Sequence, residues 1–205
     1  MISILNYGMG NIRSVKNALD YLRIENIIIN TSKEILESKK IILPGVGSFK
    51  RAMENIKERK FVEPLNRVVI EKKIPILGIC LGMQLMAKES EEEGITKGLG
   101  WINGYVQKFS AEKIKKKIPH IGFNTVFFKK NNNILYKKLG KQADYYYVHS
   151  YRILYDDCKD VSGWSNYGEK FVASIEKKNI FGTQYHPEKS QSNGLIYLKN
   201  FAKLR

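Results

Sequence analysis

The alternation of short apolar runs with helical patterns constrains the fold of this chain more than any other feature. Residues 2–5, 27–29, 41–43 and 74–79 form β-branched runs that glycine or proline closes, as is typical of buried parallel strands. Helical patterns lie between these runs, over residues 12–22, 48–57 and 61–73, and another opens after the last run, over residues 81–87. This order predicts a doubly wound α/β sheet in the first half of the chain.

The second half carries a different pattern, with many strand candidates and few helices between them. The candidates are residues 101–109, 123–128, 145–148, 171–175 and 180–184. A closing helix follows, with Leu195, Leu198 and Phe201 on one face. Without an internal repeat or a linker, we expect one domain over residues 1–205. Its predicted fold is a doubly wound, mixed, mainly parallel sheet flanked by helices, with an antiparallel extension.

The apolar content of the chain bears on its compartment. No stretch approaches the roughly 20 apolar residues that a membrane-spanning helix requires. The N-terminus has no basic region, and its apolar run is too short for a signal peptide. The sequence therefore predicts a cytoplasmic location.

The two cysteines, Cys80 and Cys158, are too few for a disulfide scaffold in a chain of 205 residues. Neither belongs to a Cys-x-x-Cys or Cys/His spacing, so no metal site is expected. Cys158 lies in a polar stretch, which predicts a surface thiol without a role.

The formal net charge of +15 raises the question of a nucleic-acid partner. The lysines are scattered, however, and no reading helix, RNA-binding aromatic signature or zinc motif accompanies them. Lysine-rich surfaces are usually solvated surfaces, so nucleic-acid binding is disfavoured. An acidic protein partner, or an anionic substrate on that partner, explains the charge at least as well.

The segment Gly78-Ile79-Cys80-Leu81-Gly82 has the form of a nucleophile elbow with cysteine in place of serine. Its glycines allow a tight turn from strand to helix that lifts the side chain clear of the sheet. The helix that begins at Leu81 points its positive end at the sulfur, which favours the thiolate. A buried small hydrophobe is the alternative for Cys80, and this segment alone does not decide between the two.

His186-Pro187-Glu188 supplies the other groups of a covalent acyl-transfer site. Residues two apart on an extended chain project to the same side, and Pro187 biases His186 away from helix. Glu188 can therefore orient the His186 imidazole while its other nitrogen faces a nucleophile. The segment follows a predicted strand, where the sites of α/β proteins collect.

These motifs together resemble the triad-type, or class I, glutamine amidotransferases. Within that family the chain is similar over nearly its whole length to the glutaminases that serve a cyclase in histidine biosynthesis. The segments that carry the resemblance are Tyr7-Gly8-Met9-Gly10-Asn11, Pro44-Gly45-Val46-Gly47-Ser48-Phe49, Cys80-Leu81-Gly82-Met83-Gln84, Pro119-His120-Ile121-Gly122-Phe123-Asn124, Val148-His149-Ser150-Tyr151 and His186-Pro187-Glu188-Lys189-Ser190-Gln191.

The resemblance implies that Cys80 attacks the side-chain amide of L-glutamine. His186, oriented by Glu188, then passes a proton to the leaving ammonia. Backbone N–H groups of Gly45-Val46-Gly47 and of Leu81 would hold the oxyanion. The residues implied to position the amino-acid end of glutamine are Gln84, Glu92, Ser150 and Tyr151. The resemblance implies no metal and no organic cofactor.

The resemblance also implies a heterodimer with a (β/α)8-barrel cyclase. That partner would use the ammonia to make imidazole glycerol phosphate and the aminoimidazole carboxamide ribotide (AICAR). The implied interface candidates are Asn11, Arg13, His120 and Phe123. Phe123 stands where the family usually has tryptophan, and Trp101 and Asn103 lie in a commonly more aliphatic stretch of the half expected to face the partner. These departures leave the identity of the partner open.

Three other functions compete with this interpretation. A paralogous glutaminase would supply ammonia for the modification of surface sugars, and the motifs do not separate the two. A non-catalytic basic binding protein is disfavoured because Cys80, His186 and Glu188 are all present. An independent hydrolase of glutamyl peptides is disfavoured by the Pro-Gly-Val-Gly loop and by the small size.

Overall fold

The computed structural model describes residues 1–129, 133–155 and 158–204. In chain order the strands are β1 (Ile2–Leu5), β2 (Asn26–Ile29), β3 (Ile41–Gly45), β4 (Ile76–Cys80), β5 (Glu89–Ser90), β6 (Thr96–Lys97), β7 (Gly104–Lys108), β8 (His120–Phe128), β9 (Gln142–His149), β10 (Tyr151–Tyr155), β11 (Val161–Asn166), β12 (Lys170–Lys177) and β13 (Ile180–Thr183). The α-helices are α1 (Ile12–Tyr21), α2 (Ser32–Glu37), α3 (Phe49–Glu58), α4 (Val62–Asn66), α5 (Leu81–Leu85), α6 (Ala111–Ile114) and α7 (Gln191–Ala202).

The larger sheet has nine strands within the described residues, in the order β2-β1-β3-β4-β13-β12-β11-β8-β9. The first five strands in this order run parallel, and from β13 onward each neighbouring pair is antiparallel. The predicted fold class, a mixed and mainly parallel sheet with an antiparallel extension, is confirmed. Because β4 and β13 are neighbours, the two segments with catalytic motifs end at the same edge of the sheet.

Helices cover both faces of the parallel strands, so the strand side chains are buried on both sides. One face packs against α1 and α7, and the other packs against α2, α3 and α4. Successive residues of β1 divide between the two cores, since Ile4 belongs to the first and Leu5 to the second. Burial on both sides is the reason these strands are continuous apolar runs rather than alternating ones.

Some short elements were not predicted from the sequence. Helix α2 is only six residues long, too short for a periodic signal, and a capping box between Thr31 and Glu34 closes its first turn. The helix predicted over 61–73 is α4 continued by a π-helical turn at Arg67–Glu71. The helix predicted over 81–87 ends earlier, at Leu85, because Met86 and Ala87 already lie in a turn.

A second sheet of four strands in the described part of the chain, in the order β10-β7-β5-β6, was not expected. The strand predicted over 101–109 is β7 of this sheet and does not belong to the larger one. The chain passes from β9 of the larger sheet to β10 of the smaller one at Ser150. This crossing brings Ser150 and Tyr151 next to the elbow at Cys80, which positions one wall of the site described below.

None of the helices in residues 1–129, 133–155 and 158–204 is both long and apolar enough to cross a membrane.

Candidate active site

Cys80 sits in a strained backbone conformation where β4 ends and α5 begins. Its φ of 54° and ψ of −110° are rare for a residue with a side chain. The flanking glycines make the turn possible, because a Cβ on Gly82 would overlap the carbonyl oxygen of Leu43 and one on Gly78 would lie 2.6 Å from the carbonyl oxygen of Gly82. The local geometry is that of a nucleophile elbow.

His186 and Glu188 form a buried pair just beyond β13. The distance from His186 Nδ1 to Glu188 Oε1 is 2.8 Å, and both side chains are 1% exposed. The carboxylate oxygen accepts, so Nδ1 carries the proton and Nε2 is left to face another group. Nε2 makes no hydrogen bond within ordinary distance limits in the described part of the chain. The backbone N–H of His186 donates to Tyr146 O at 2.9 Å, which ties this segment to β9.

The electrostatics of His186 depend on Cys80 and Glu188. Burial by itself lowers the pKa of His186, because it disfavours the imidazolium. The negative charge of a Cys80 thiolate, a hydrogen bond with it, and Glu188 all favour the imidazolium. These effects outweigh burial and raise the pKa of His186 to about 10. Nε2, which has no hydrogen-bond partner among the described residues, is the His186 atom available to exchange a proton with Cys80. The three side chains meet at the carboxyl edge of the parallel strands.

A cavity of about 460 Å³ opens beside Cys80. It is lined by Val46, Gly47, Cys80, Leu81, Gln84, Glu92, Pro119, Val148, His149, Ser150 and Tyr151. Every residue that the resemblance assigned to glutamine binding is in this lining except Gly45. The volume is that of a small-molecule site.

The side chain of Gln84 has one fixed orientation. Its Nε2 donates to the carbonyl oxygen of Tyr151 at 3.1 Å and to Gln184 Oε1 at 3.0 Å. Because a backbone carbonyl can only accept, the amide cannot be flipped. Gln84 Oε1 makes no hydrogen bond within the described residues, so it can accept one from a cationic group in the cavity.

Glu92 contributes a carboxylate to the same cavity. Its Oε2 accepts from the backbone N–H of Phe49, in the first turn of α3, at 2.8 Å. Partial burial raises the pKa of this carboxyl, although the hydrogen bond from Phe49 lowers it in part. The negative charge of Glu93 raises the pKa further. Glu91 and Glu93 are both more exposed than Glu92, and of the three only Glu92 lines the cavity.

Gly45 lies beside the elbow and outside the cavity lining. It pairs with Cys80 in the register of β3 and β4, and a Cβ on it would lie 2.8 Å from the backbone nitrogen of Gly82. Gly45 therefore lets the two strands approach closely. The N–H groups of the next two residues, Val46 and Gly47, have no acceptor in the described part of the chain.

The predicted interface candidates do not all lie at the surface. Arg13 and Phe123 are exposed, and Asn11 is half-buried. His120 is only 2% exposed, because its ring stacks between Tyr147 and Tyr167. These two rings close off the His120 side chain, so it is not exposed at the surface for the predicted contact with a partner.

Trp101 also differs from the expectation that its stretch faces a partner. Its ring is buried in the core that α2 to α4 share, and Nε1 donates to Asn66 Oδ1 at 2.7 Å. An indole that satisfies its only donor inside the core has a packing role. Asn103 beside it is half-buried. Cys158 is exposed, as predicted.

Sequence reasoning missed a chain of buried histidines behind the cavity wall. His149 Nδ1 is 2.7 Å from the carbonyl oxygen of Tyr151, so Nδ1 donates and Nε2 must accept in the neutral ring. The donor to that Nε2 is His120 Nδ1 at 3.0 Å, and Asn124 Nδ2 donates to His120 Nε2 at 3.3 Å. The chain runs in one direction, from Asn124 to Tyr151.

Gln184 was also missed. It is fully buried at the end of β13, and its Nε2 lies 3.6 Å from Cys80 Sγ. The only signal in the sequence is its position two residues before His186, and that position does not show which way the side chain points. Among the described residues, no cluster of three or more His, Cys, Asp or Glu side chains could hold a metal ion.

Comparisons with known proteins agree with this arrangement. A family model described as glutamine amidotransferase class-I matches residues 3–204. The chain is 47% identical over 206 residues to imidazole glycerol phosphate synthase subunit HisH 1 of Campylobacter jejuni (strain 81-176), with 100% of both chains covered. It is 45% identical over 206 residues to imidazole glycerol phosphate synthase subunit HisH of Leptospira borgpetersenii, again with 100% of both covered.

A solved structure with low sequence identity has the same fold. The structure of PurLQS from Thermotoga maritima is similar with a TM-score of 0.77 and 18% identity, over 98% of this chain and 96% of that chain.

Proposed function

This chain belongs to the class-I glutamine amidotransferase family, and from that premise we propose that it is the glutaminase subunit of an imidazole glycerol phosphate synthase. It hydrolyses glutamine to glutamate and supplies the ammonia to a cyclase subunit in histidine biosynthesis. Two observations carry this proposal: the cavity beside Cys80, and the buried His186–Glu188 pair just beyond β13. Both belong to a chain that is similar to these subunits over its full length.

In the proposed first step, Cys80 Sγ gives its proton to His186 Nε2 and attacks the side-chain carbonyl carbon of glutamine. The new S–C bond makes a tetrahedral oxyanion. The N–H groups of Val46, Gly47 and Leu81 are the proposed donors to that oxyanion, since all three residues line the cavity next to the sulfur.

Collapse of this intermediate breaks the C–N bond, and His186 donates its proton to the leaving nitrogen. Ammonia departs and a glutamyl thioester stays on Cys80. Water, deprotonated by His186, then attacks the thioester, and cleavage of the C–S bond releases glutamate and restores the thiol. Glu188 keeps the imidazole in the tautomer with its proton on Nδ1 throughout.

The other end of glutamine carries an ammonium and a carboxylate, and both need partners. Gln84 Oε1 and the Glu92 carboxylate are the proposed acceptors for the ammonium, because both residues line the cavity and Glu92 has no ion pair among the described residues. Backbone groups of Ser150 and Tyr151 are proposed to complete this end of the site.

The cyclase subunit is proposed to be a (β/α)8 barrel that forms a heterodimer with this chain. Arg13, Asn11 and Phe123 remain the candidate contacts with it. The chain is proposed to act as one domain over residues 1–205 in the cytoplasm.

Cys80→Ala tests the proposed function in the complex with the cyclase subunit. We expect glutamate release to fall at least about a thousandfold, as for other lost nucleophiles. Cys158→Ser is the matched control, and it should leave the rate unchanged because Cys158 is exposed and far along the chain from the site. Glutamate release that persists in Cys80→Ala would disprove the assignment.

A further inference from the structure

Two buried glutamine side chains link the cavity wall to the sulfur of Cys80. Gln84 is 4% exposed and Gln184 is 0% exposed, and an amide without partners at such depth would be costly. Their contacts run from the Tyr151 carbonyl to Gln84, from Gln84 to Gln184, and from Gln184 to Cys80 Sγ. Nothing in the proposed mechanism uses the last of these contacts.

The direction of each hydrogen bond follows from the Tyr151 carbonyl. That oxygen can only accept, so the atom of Gln84 that faces it is Nε2. The same Nε2 donates to Gln184, which therefore presents its oxygen to Gln84. The amide of Gln184 is planar, so its NH2 group is left on the side of Cys80, 3.6 Å from the sulfur.

The Tyr151 carbonyl is itself held in place from behind. His149 Nδ1 donates to it at 2.7 Å, and His120 donates to His149 in turn. The acceptor that orients Gln84 and Gln184 is thus held by a buried histidine whose own partner, His120, is stacked between two tyrosine rings, and this arrangement is present without a substrate. The NH2 group of Gln184 is preorganised before glutamine binds.

We propose that Gln184 is a further catalytic residue, whose Nε2–H donates a hydrogen bond to the Cys80 sulfur and stabilises the thiolate. The inference rests on the proposed role of Cys80 as nucleophile. No bond at Gln184 is made or broken: the thiol proton passes to His186, and the Gln184 N–H donates to the sulfur anion that remains. Gln84 acts through Gln184 as a positioning residue, in addition to its proposed contact with the substrate.

The proposed hydrogen bond from Gln184 is tested by the rate at which iodoacetamide alkylates Cys80 between pH 6 and pH 9. The full chain is used with Cys158→Ser, which leaves Cys80 as the remaining one of its two cysteines. Gln184→Met keeps the length of the side chain and removes the donor, and Gln184→Glu keeps the shape but puts a carboxyl oxygen where the N–H was. We expect Gln184→Met to slow alkylation about tenfold at pH 7, the loss of one hydrogen bond to a charged group. Gln184→Glu should slow it at least as much, because a carboxylate also repels the thiolate, and both variants should move the rate profile to higher pH.

Thr183→Val is the matched control on the same strand. Thr183 is fully buried and its hydroxyl donates to the carbonyl oxygen of Tyr185, so this variant also loses a buried hydrogen bond, but it does not touch the sulfur. We expect it to lower the melting temperature and to leave the alkylation profile unchanged. Glutaminase assays of the complex should show kcat falling about tenfold in Gln184→Met with KM close to the wild-type value, because Gln184 is outside the cavity lining.

A wild-type alkylation profile in folded Gln184→Met and Gln184→Glu would overturn the inference. That result is distinct from failure of the proposed function, since alkylation does not depend on glutamine turnover. Loss of glutamate release in the wild-type complex, with the alkylation difference retained, would instead reject the proposed reaction and leave the Gln184 contact intact.

Discussion

At the scale of single residues, three histidines show how surroundings alone decide the charge of one side-chain type. His186 and His149 are both buried, yet their pKa values move in opposite directions. The pKa of His149 is lowered to about 3, mainly by burial. The hydrogen bond with Tyr151 opposes this shift because it favours the charged ring, whereas the nearby charges of His120, His186 and Arg152 lower the pKa further. His186 instead faces the anions of Cys80 and Glu188, which raise its pKa to about 10 against the effect of burial. His120, buried and close to Lys116, has a pKa lowered to about 4.

Glu188→Gln tests the source of the His186 charge. The amide keeps the shape of the carboxylate but removes its negative charge, and it can present an N–H to Nδ1, which would favour the wrong tautomer. We expect kcat for glutamate release to fall at least about a hundredfold while KM changes little, because Glu188 is outside the cavity lining. Steady-state kinetics of the complex measure this. A kcat within threefold of wild type would show that Glu188 does not orient His186.

At the scale of elements, the outer strands of the larger sheet leave an apolar surface uncovered. Ile121, Phe123 and Phe127 alternate along β8 and are more than half exposed. Phe123 packs against Tyr146 of the neighbouring strand with ring centroids 5.7 Å apart. The backbone carbonyl of Tyr146 also accepts a hydrogen bond from the backbone N–H of His186. Tyr146 therefore connects this surface directly to the active site. Such a surface is typical of an interface with another protein.

Phe123→Glu tests this surface. A buried carboxylate in an apolar interface is costly, so we expect the affinity for the cyclase subunit to fall at least tenfold, as measured by titration calorimetry. Ile27→Glu is the control, because Ile27 is an exposed apolar residue on β2, at the opposite edge of the same sheet. Equal affinities of Phe123→Glu and the wild type would place the interface elsewhere.

At the scale of the whole molecule, the buried histidines link stability to pH in two opposite ways. The unfolded chain protonates a histidine near pH 6.5, whereas folded His149 does so only near pH 3. Its contribution is therefore present above pH 6.5 and is lost as the pH falls below that value. His186 has the opposite sign: its contribution is present below pH 6.5 and is lost as the pH rises toward 10.

His149→Asn tests whether His149 causes the loss of stability below pH 6.5. Asparagine can still donate to the Tyr151 carbonyl but has no ring to protonate. We expect the stability difference between wild type and variant to shrink by about 2 kcal/mol from pH 7 to pH 5, measured by urea unfolding. Parallel pH dependence of the two proteins would show that His149 does not carry this linkage.

Features that depend on neighbouring residues in the sequence could be predicted, and features that depend on distant residues could not. The parallel strands, the elbow at Cys80 and the pairing of His186 with Glu188 were all predicted, because each depends on residues a few positions apart. The second sheet was not, since its strands β5 and β6 have only two residues each and β10 begins directly after β9. A strand of two residues is too short to show the alternation of apolar and polar residues from which strands are predicted.

By itself, therefore, the sequence determined the fold class, the family and the residues proposed for the reaction. Only the tertiary structure decided that His120 is buried between two rings and that Gln184 reaches the sulfur. Gln184 and Cys80 are 104 positions apart, and His120 and His149 are 29 apart. Such contacts depend on which strands become neighbours and which way each side chain turns, and local periodicity contains neither. The physical reason is that burial and hydrogen-bond direction belong to the packed core and not to any segment of the chain.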